Sequence, residues 1–350
     1  MRLRRIKCSS ARMCGGLRFC GGFCLVLERN LLFLRWPVKT KPKKTYPDSN
    51  VEMNVDVLCV GHASYDLVFA VDHHPEADEK TFAQQFISCG GGPAANAAVT
   101  VSRLGFKSAF AGYLGNDYFG QRNLEEFEKA AVNTDLIARG DSPTPVSTIW
   151  VKPDGKRTLV NYRGSTRPMA ASKLDFSRCH PKVVLFDGHE PDVSLELIKT
   201  MQGQNIPTVL DAGSVHRGTL KLLELIDYTV ASQKFSHEST GKDDPVQAAV
   251  KLGQYCASVV ITLGERGLVW KNQQGSGTLP AFSVDAVDTT GAGDAFHGAF
   301  AAGLASGKNW RELLTYAAAA GALCCTKHGA RPAIPSAEEV DQFLKKHQMS

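Results

Sequence analysis

The sequence predicts an α/β protein: a doubly wound, mostly parallel sheet with helices on both faces and a small second β sheet standing off it. Three observations predict this. Short apolar runs of strand length recur after residue 55, several of them ending in Gly, Asp or Ser. Helix-length segments separate them, and that alternation implies right-handed βαβ units. Two pairs of strand-like segments break the rhythm and account for the second sheet.

In chain order, residues 55–61 form the first strand. Segments 67–71 and 81–88 fall between it and its helix, 94–104, and are the first two strands of the small sheet. Residues 108–114 are the next core strand and 120–131 its helix. Segments 147–151 and 158–162 flank Pro153-Asp154-Gly155, a hairpin signal because Pro presets φ and Gly supplies a positive one. Strands follow at 182–187, 207–211, 228–231 and 258–263, with helices at 193–204 and 245–256. Residues 282–287 alternate apolar and polar, as a half-buried strand does. Residues 295–304 are small and apolar enough for a buried helix, and 316–325 form an Ala-rich one. Ligands of such sheets bind beyond the carboxyl ends of the strands. There is no internal repeat and no low-complexity tract.

Composition bounds the function. With 43% hydrophobic residues, the 350-residue chain has ample material for one large core. The net charge of +5 is unevenly placed. Residues 1–50 hold 12 Lys or Arg against two acids, Glu28 and Asp48, a balance of +10. The remaining residues carry 28 basic and 33 acidic side chains, a balance of −5, which does not suggest nucleic-acid binding. The chain therefore divides into a basic extension, 1–50, disordered or targeting, and one main domain, 51–350.

The extension is Arg-rich and acid-poor, like an organelle transit peptide, or reflects a mis-assigned start. It departs from the transit pattern in its low Ser content and its four cysteines. Its apolar stretch 24–36 is interrupted by Glu28, Arg29 and Arg35, too short and too charged to span a bilayer. Cys8, Cys14, Cys20 and Cys24 are spaced too widely for a paired C-x-x-C zinc site. The other six cysteines sit among apolar residues and read as reduced core thiols of an intracellular protein. The expected location is the cytoplasm, or a plastid or mitochondrion if the extension is a transit peptide.

The most informative string is Asp288-Thr289-Thr290-Gly291-Ala292-Gly293-Asp294-Ala295-Phe296. A Gly-rich turn opening a helix leaves backbone N–H groups unpartnered at the positive end of the helix dipole. That makes an anion site whose usual occupant is phosphate. Asp294 lies where an acceptor for a proton is useful. In isolation, Asp is also a common helix cap and Gly-x-Gly a common turn. No G-x-x-x-x-G-K-[ST] string exists, so a P-loop is excluded, and the Gly90–Gly92 run lacks the regular dinucleotide spacing G-x-G-x-x-G.

The string Asp288 to Asp294 resembles the C-terminal signature of the ribokinase-like, or PfkB, family of carbohydrate kinases. Gly90-Gly91-Gly92-Pro93-Ala94-Ala95-Asn96-Ala97-Ala98, with Arg103-Leu104-Gly105, resembles that family's N-terminal signature. The two lie about 200 residues apart in the expected order, and the similarity runs from about residue 55 to 343. The resemblance implies a ribokinase-like fold and ATP-dependent phosphorylation of a hydroxyl on a small sugar or acidic sugar derivative. The segments near 67–88 and 147–163 would then be a lid that closes over the sugar, keeps water from the ATP phosphates and pairs two subunits into a homodimer.

The same resemblance assigns residues. Asp294 is the general base, and the backbone of Gly291, Ala292 and Gly293 is the anion hole. Asp66 grips sugar hydroxyls, and Gly91, Gly92 and Asn96 line the sugar site, the glycines letting the ligand approach the backbone. Read as residues alone, Asp66 is equally a turn acid and Asn96 a polar helix residue. Lys80, Asn161 and Arg163 lie on or near lid strands and either face the substrate or are solvated lid charges. Thr262, Gly264 and Gly267 resemble the loop near the ATP phosphates and ribose. Lys327 and Gly329 match the adenine and monovalent-cation region, or close a helix together with His328. Asp288 and Thr290 match the K⁺ neighbourhood. ATP and Mg²⁺ are implied as cofactors, with K⁺ at that neighbourhood.

Many relatives carry an Asn-x-x-Glu motif that organises Mg²⁺; here Ser232-Gln233-Lys234-Phe235 stands instead, so no metal ligand is assigned, and Glu238 is the nearest substitute. The GGGPAANAA run, Asn161-Tyr162 and Phe296-His297-Gly298 look closest to the bacterial sulfofructose kinase branch, which suggests selection of an acidic sugar by basic lid residues. His297 either tunes Asp294 from one turn away or packs locally. His73 and His74, with Asp72 and Asp78, read as an exposed loop between lid strands. Two other functions fit the chain: a nucleoside kinase of the same fold, and a non-catalytic sugar-binding regulator.

Overall fold

The computed structural model describes residues 52–348; the expectations for the basic extension lie outside them. The described residues form one unit of the chain.

The core sheet begins with β1 (Met53–Gly61), whose Val57, Leu58, Cys59 and Val60 are fully buried. A strand apolar on both faces is one covered by helices on both sides. Two lid strands, β2 (Ser64–Ala70) and β3 (Gln85–Gly91), precede α1 (Pro93–Arg103). Then come β4 (Ser108–Gly115), α2 (Tyr118–Lys129) and β5 (Ile137–Gly140). The second lid hairpin is β6 (Val146–Val151) with β7 (Arg157–Tyr162). The chain returns through β8 (Cys179–Phe186), α3 (Pro191–Thr200), β9 (Thr208–Ala212) and α4 (Arg217–Leu222). After these follow β10 (Tyr228–Ser232), α5 (Gln233–Thr240), α6 (Pro245–Leu252) and β11 (Ser258–Thr262). An antiparallel pair, β12 (Leu268–Asn272) and β13 (Gly275–Leu279), finishes the sheet. The helices α7 (Ala292–Ala305), α8 (Trp310–Cys324), α9 (Ala330–Ala333) and α10 (Ala337–Gln348) close the chain.

The large sheet has the order β13-β12-β11-β10-β9-β8-β1-β4-β5, parallel from β11 through β5. The small sheet has the order β3-β2-β6-β7. Its register puts Cys89, Asp66, Ser147 and Asn161 in one row across the four strands. Side chains alternate along a strand. The row therefore shares its face with Val68, Ile149 and Val151, which are buried. Phe69, Phe86, Trp150 and Tyr162 stand on the other face, with Phe86 58% and Tyr162 61% exposed.

Close packing of α1 on α7 follows from small residues. Ala94, Ala95, Ala97 and Ala98 are fully buried on α1, as are Ala295, Ala299, Ala301 and Ala302 on α7. A Cβ at Gly298 would lie 2.7 Å from the Ala97 carbonyl oxygen. Two helices meeting through such faces bring their first turns within side-chain reach of one another.

The expected alternation is present, with strand ends shifted by a few residues. One expectation fails: residues 282–287 are not a strand. Pro280 ends β13, which is already the sheet edge, and no neighbour offers a ladder. Phe282 packs instead on Phe343 and His347 of α10, and the Val287 N–H donates to the Cys325 carbonyl. The amphipathic alternation is satisfied by helix packing without strand pairing. The strands β5, β12 and β13 and the helices α4, α5, α9 and α10 are additions to the expected list.

Candidate active site

From β1 the chain runs outward to β4 and β5 on one side and through β8 to β11 on the other. The order reverses between β1 and β8, and the crevice beyond their carboxyl ends is where such sheets hold ligands. Asp187 stands there, directly after β8. Its Oδ2 accepts hydrogen bonds from the His62 N–H (2.7 Å) and the Ala94 N–H (3.2 Å), and its Oδ1 from the His189 N–H (2.9 Å). This carboxylate fastens the loop after β1 to the first turn of α1. A Cβ at Gly61 would lie 1.9 Å from Asp187 Oδ1, so the side chain fits only beside glycine.

One turn into α1, Asn96 Nδ2 donates to Asp294 Oδ2 at 2.7 Å, joining residues from the two signature motifs. Asp294 is on the first turn of α7, and burial raises its pKa, against the Asn96 bond and the charges of His297 and Arg157, which lower it. Asn96 is oriented in turn: its Oδ1 accepts from Arg331 Nε at 3.2 Å. Arg331 is 5% exposed, pairs with Glu126 at 3.1 Å and lies 4.5 Å over the Phe127 ring. Glu126 also accepts from the Gly90 N–H at 2.8 Å. A chain of contacts thus runs from α2 through α9 and α1 to Asp294. His297 holds the other side of this turn, with Nδ1 2.6 Å from the Gly293 carbonyl and 3.3 Å from Asp211 Oδ2, and Nε2 3.1 Å from the Val230 carbonyl. It both packs locally and acts on Asp294 through its charge. Burial raises the Asp211 carboxyl to about 6 against the pull of His297.

The turn before α7 has the geometry of an anion cradle. Gly291 is the cap residue at φ +81°, where a Cβ would also meet Ala330 at 2.7 Å. Among the described residues the N–H groups of Gly291 and Gly293 have no acceptor, whereas the Ala292 N–H lies 3.3 Å from the Thr289 carbonyl. A Cβ at Gly293 would meet nothing within 4 Å, so the turn faces open space. Asp288 sets its shape. This fully buried carboxylate accepts from the Thr290 N–H (2.8 Å), the Thr290 hydroxyl (2.6 Å) and the Gly329 N–H (2.8 Å).

On the lid side, Asp66 is buried and accepts from the Ser64 hydroxyl at 3.0 Å; burial raises its carboxyl to about 6, against Ser64, Ser147 and Arg331. The absent Cβ atoms of the N-terminal motif make room for protein groups. At Gly91 a Cβ would lie 2.2 Å from the Asp66 carboxylate, and at Gly92, φ +96°, 2.5 Å from the His62 carbonyl. Asn161 shares the Asp66 face and is exposed. Arg163 is exposed just beyond β7, and its charge acts on His62 and His216. Arg157, which the sequence reading passed over, acts on Asp294. The Thr289 hydroxyl donates to the Gly155 carbonyl at 3.4 Å, so the hairpin tip reaches the loop before the cradle. Lys80 is not brought to this cluster. It walls a cavity of about 490 Å³ against Phe69 and Trp150 on the other face of the lid.

The strands β10 and β11 end side by side, with Ser232 opposite Thr262. The Thr262 hydroxyl donates to the Ala231 carbonyl at 3.3 Å, and Arg266 reaches Gln233 at 2.6 Å. Gly264 faces open space, while a Cβ at Gly267 would lie 2.0 Å from the Leu279 carbonyl. Lys327 pairs with Glu339 of α10 at 3.0 Å. Glu238 is turned toward Lys234, at 3.9 Å. Among the described residues no three His, Cys, Asp or Glu side chains converge as a protein-built metal site requires. The protein side chains therefore do not by themselves fit a Mg²⁺ cage.

Asp187, Asp211, Glu126, Arg331 and Arg157 were not assigned from sequence. The first two ended expected strands, which was a usable signal; the others lie far from either motif in the chain.

Residues 54–337 match the family described as pfkB family carbohydrate kinase. The chain is 29% identical over 293 residues to the ribokinase of Bacillus subtilis, covering 83% of this chain and 99% of that one. It is 30% identical over 304 residues to the ATP-dependent ribose-1-phosphate kinase of Halopiger xanaduensis, covering 83% and 98%. The structure of Arabidopsis thaliana ribokinase complexed with ribose and ATP superposes with a TM-score of 0.73 at 26% identity, covering 84% and 99%. The chain belongs to the pfkB family of carbohydrate kinases: it is a phosphotransferase with an alcohol group as acceptor. No helix among the described residues is long and apolar enough to cross a membrane.

Proposed function

We propose that this family member transfers the terminal phosphoryl group of ATP to a hydroxyl of a small sugar or acidic sugar derivative, with Asp294 as general base. The observation that carries the reading is the 2.7 Å bond between Asn96 and Asp294, beside a cradle whose glycine N–H groups have no acceptor among the described residues and whose Gly293 borders open space. Burial favours proton uptake by Asp294, which suits a base. Asn96 engages Oδ2 and leaves Oδ1 without a donor among the described residues, free to receive the acceptor's proton. The N–H groups of Gly291 and Gly293, fixed at the start of α7, would stabilise charge on the phosphoryl group without reorganising. Mg²⁺ entering on the nucleotide phosphates with its own waters would offset their charge. Asp66 and Asn161 would hold acceptor hydroxyls, and the loop of Thr262 and Gly264 the nucleotide.

Two further features belong to this reading. Asp288 is a buried carboxylate with three dipolar donors and no cationic partner among the described residues, which suits a K⁺ ion beside the cradle. The exposed apolar face of the lid, with Phe69, Phe86, Trp150 and Tyr162, suits pairing of two copies. The test is ADP release against a panel of pentoses, hexoses, sugar acids, sugar phosphates and nucleosides, with and without K⁺. Acceptor-dependent release confined to sugars supports the reading. Release with nucleosides alone, or tight sugar binding without turnover, overturns it.

A further inference from the structure

Three histidines from three separate loops cluster at the mouth of the crevice. His62 follows β1, His189 lies three residues beyond β8, and His216 caps α4 after β9. The ring centroids of His62 and His189 are 5.0 Å apart and tilted at 48°, and those of His189 and His216 are 4.5 Å apart and stacked at 17°. Each ring is half-buried. The three rings do not converge as a metal site requires, so the column is a wall and not a metal cage.

The charges around it are one-sided. Arg163, exposed just beyond β7, acts on His62 and His216 through its charge, and Arg217, on the first turn of α4, is exposed beside His216. Asp187 is the one carboxylate acting on the rings; its oxygens are already taken by three backbone N–H groups. Glu190, the neighbour of His189, points instead at the Met169 N–H. The Arg163 guanidinium has no hydrogen-bond or ion-pair partner among the described residues, its backbone carbonyl accepting from the Thr166 N–H. Burial pushes His62 down to about 3 and lowers His216, and His189 and Arg163 add to both shifts. The imidazoles of His62 and His189 and the Arg163 guanidinium thus share one half-open wall with almost no anion to answer them, while His216 backs the wall with its Nδ1 accepting from the Gly218 N–H at 3.3 Å. Asp187 also binds the first turn of α1, which carries Asn96 to Asp294, so the wall belongs to the same crevice as the base.

We infer that His62 and His189, backed by His216 and joined by Arg163, recognise an anionic group on the acceptor, held at the far end of the molecule from the hydroxyl that meets Asp294. This rests on the sugar-kinase reading above and narrows it to acceptors that carry a carboxylate, sulfonate or phosphate.

The test compares matched acceptors with the full-length enzyme and saturating ATP: glucose against glucuronate, and fructose against fructose 6-phosphate. The wild type is expected to prefer the anionic member of at least one pair by tenfold or more in kcat/KM, the carboxylate and phosphate arms separating the two chemistries. Loss of one charge-assisted contact is worth about tenfold to a hundredfold. His189→Phe, which keeps the stack and removes its N–H donor, and Arg163→Gln should each cut the anionic-to-neutral ratio by roughly tenfold or more. ATP-analogue binding and melting temperature verify that each variant folds. Turnover of neutral sugars without preference for an anionic one, or folded variants with unchanged ratios, overturns this inference and leaves the kinase reading standing. No turnover of any acceptor by the wild type overturns both.

Discussion

Removing the charge of Glu126 alone should destabilise the protein more than removing it together with that of Arg331. Arg331 is 5% exposed, and its guanidinium lies 3.1 Å from Glu126 Oε2. At that separation and an effective dielectric of about 20, the attraction is roughly 5 kcal/mol, most of it offset by the cost of burying the charges. Breaking such a pair from one side costs about 3–5 kcal/mol. The Glu126 side chain keeps 24% of its surface exposed, which sets Glu126→Gln at the lower end, about 3 kcal/mol. For a domain of this size that is a fall of roughly 5 °C in Tm. The glutamine still accepts from the Gly90 N–H, so the loss isolates the charge. In Glu126→Gln with Arg331→Met, no buried charge remains and a hydrophobic side chain fills the space against Phe127; at least half of the loss should return. Activity should behave differently. Both variants lacking Arg331 free the Asn96 amide to turn, so kcat should stay low where stability recovers. Urea unfolding and initial rates on the four proteins measure both effects. A Glu126→Gln loss under 1 kcal/mol, or a double variant that loses the sum of both single losses, would refute the reasoning.

Other outcomes follow from the same geometry. Asp66→Asn tests a carboxyl raised to about 6 by burial. Between about pH 4 and 6 the folded state holds this proton and the unfolded state does not, so the carboxylate's penalty is absent below pH 4 and complete above 6. The variant should therefore gain about 2–3 kcal/mol over wild type at pH 8 and nothing at pH 4, while losing acceptor affinity; a difference independent of pH contradicts this. Asn96→Leu removes the bond that lowers the raised pKa of Asp294, so the acid limb of kcat/KM should move to higher pH, read from a pH–rate profile. Gly293→Ala meets open space and should keep its Tm while losing kcat/KM for ATP; Gly291→Ala, at φ +81° and against Ala330, should lower Tm itself.

Much of the fold was legible because its signals are local. The buried runs of β1, β8 and β9 end in the Gly and Asp residues that mark crevice loops, and the alternation with helices dictates a parallel sheet. Residues 282–287 show the limit of periodicity: alternation records which side chains are covered, and α10 covers Phe282 as well as a strand would. The short edge strands β12 and β13 carry Gly275, Gly277 and exposed polar residues, so their pattern is faint. In the site, Asp294, Asn96 and the glycine turn were legible because each lies in a motif with a local mechanical reason, whereas Asp66 was singled out only by the family resemblance. Arg331, Glu126, Asp187 and the histidine column were not, because their roles arise only when α1, α2, α9 and the ends of three strands meet.

The central claim is that Asp294 takes the acceptor's proton, and Asp294→Asn tests it most directly. The substitution keeps the shape of the side chain beside Asn96 and removes the base. The account predicts a fall in kcat of roughly 10²-fold or more, with ATP binding and melting temperature close to wild type. A folded variant that retains kcat within tenfold of the parent would contradict it.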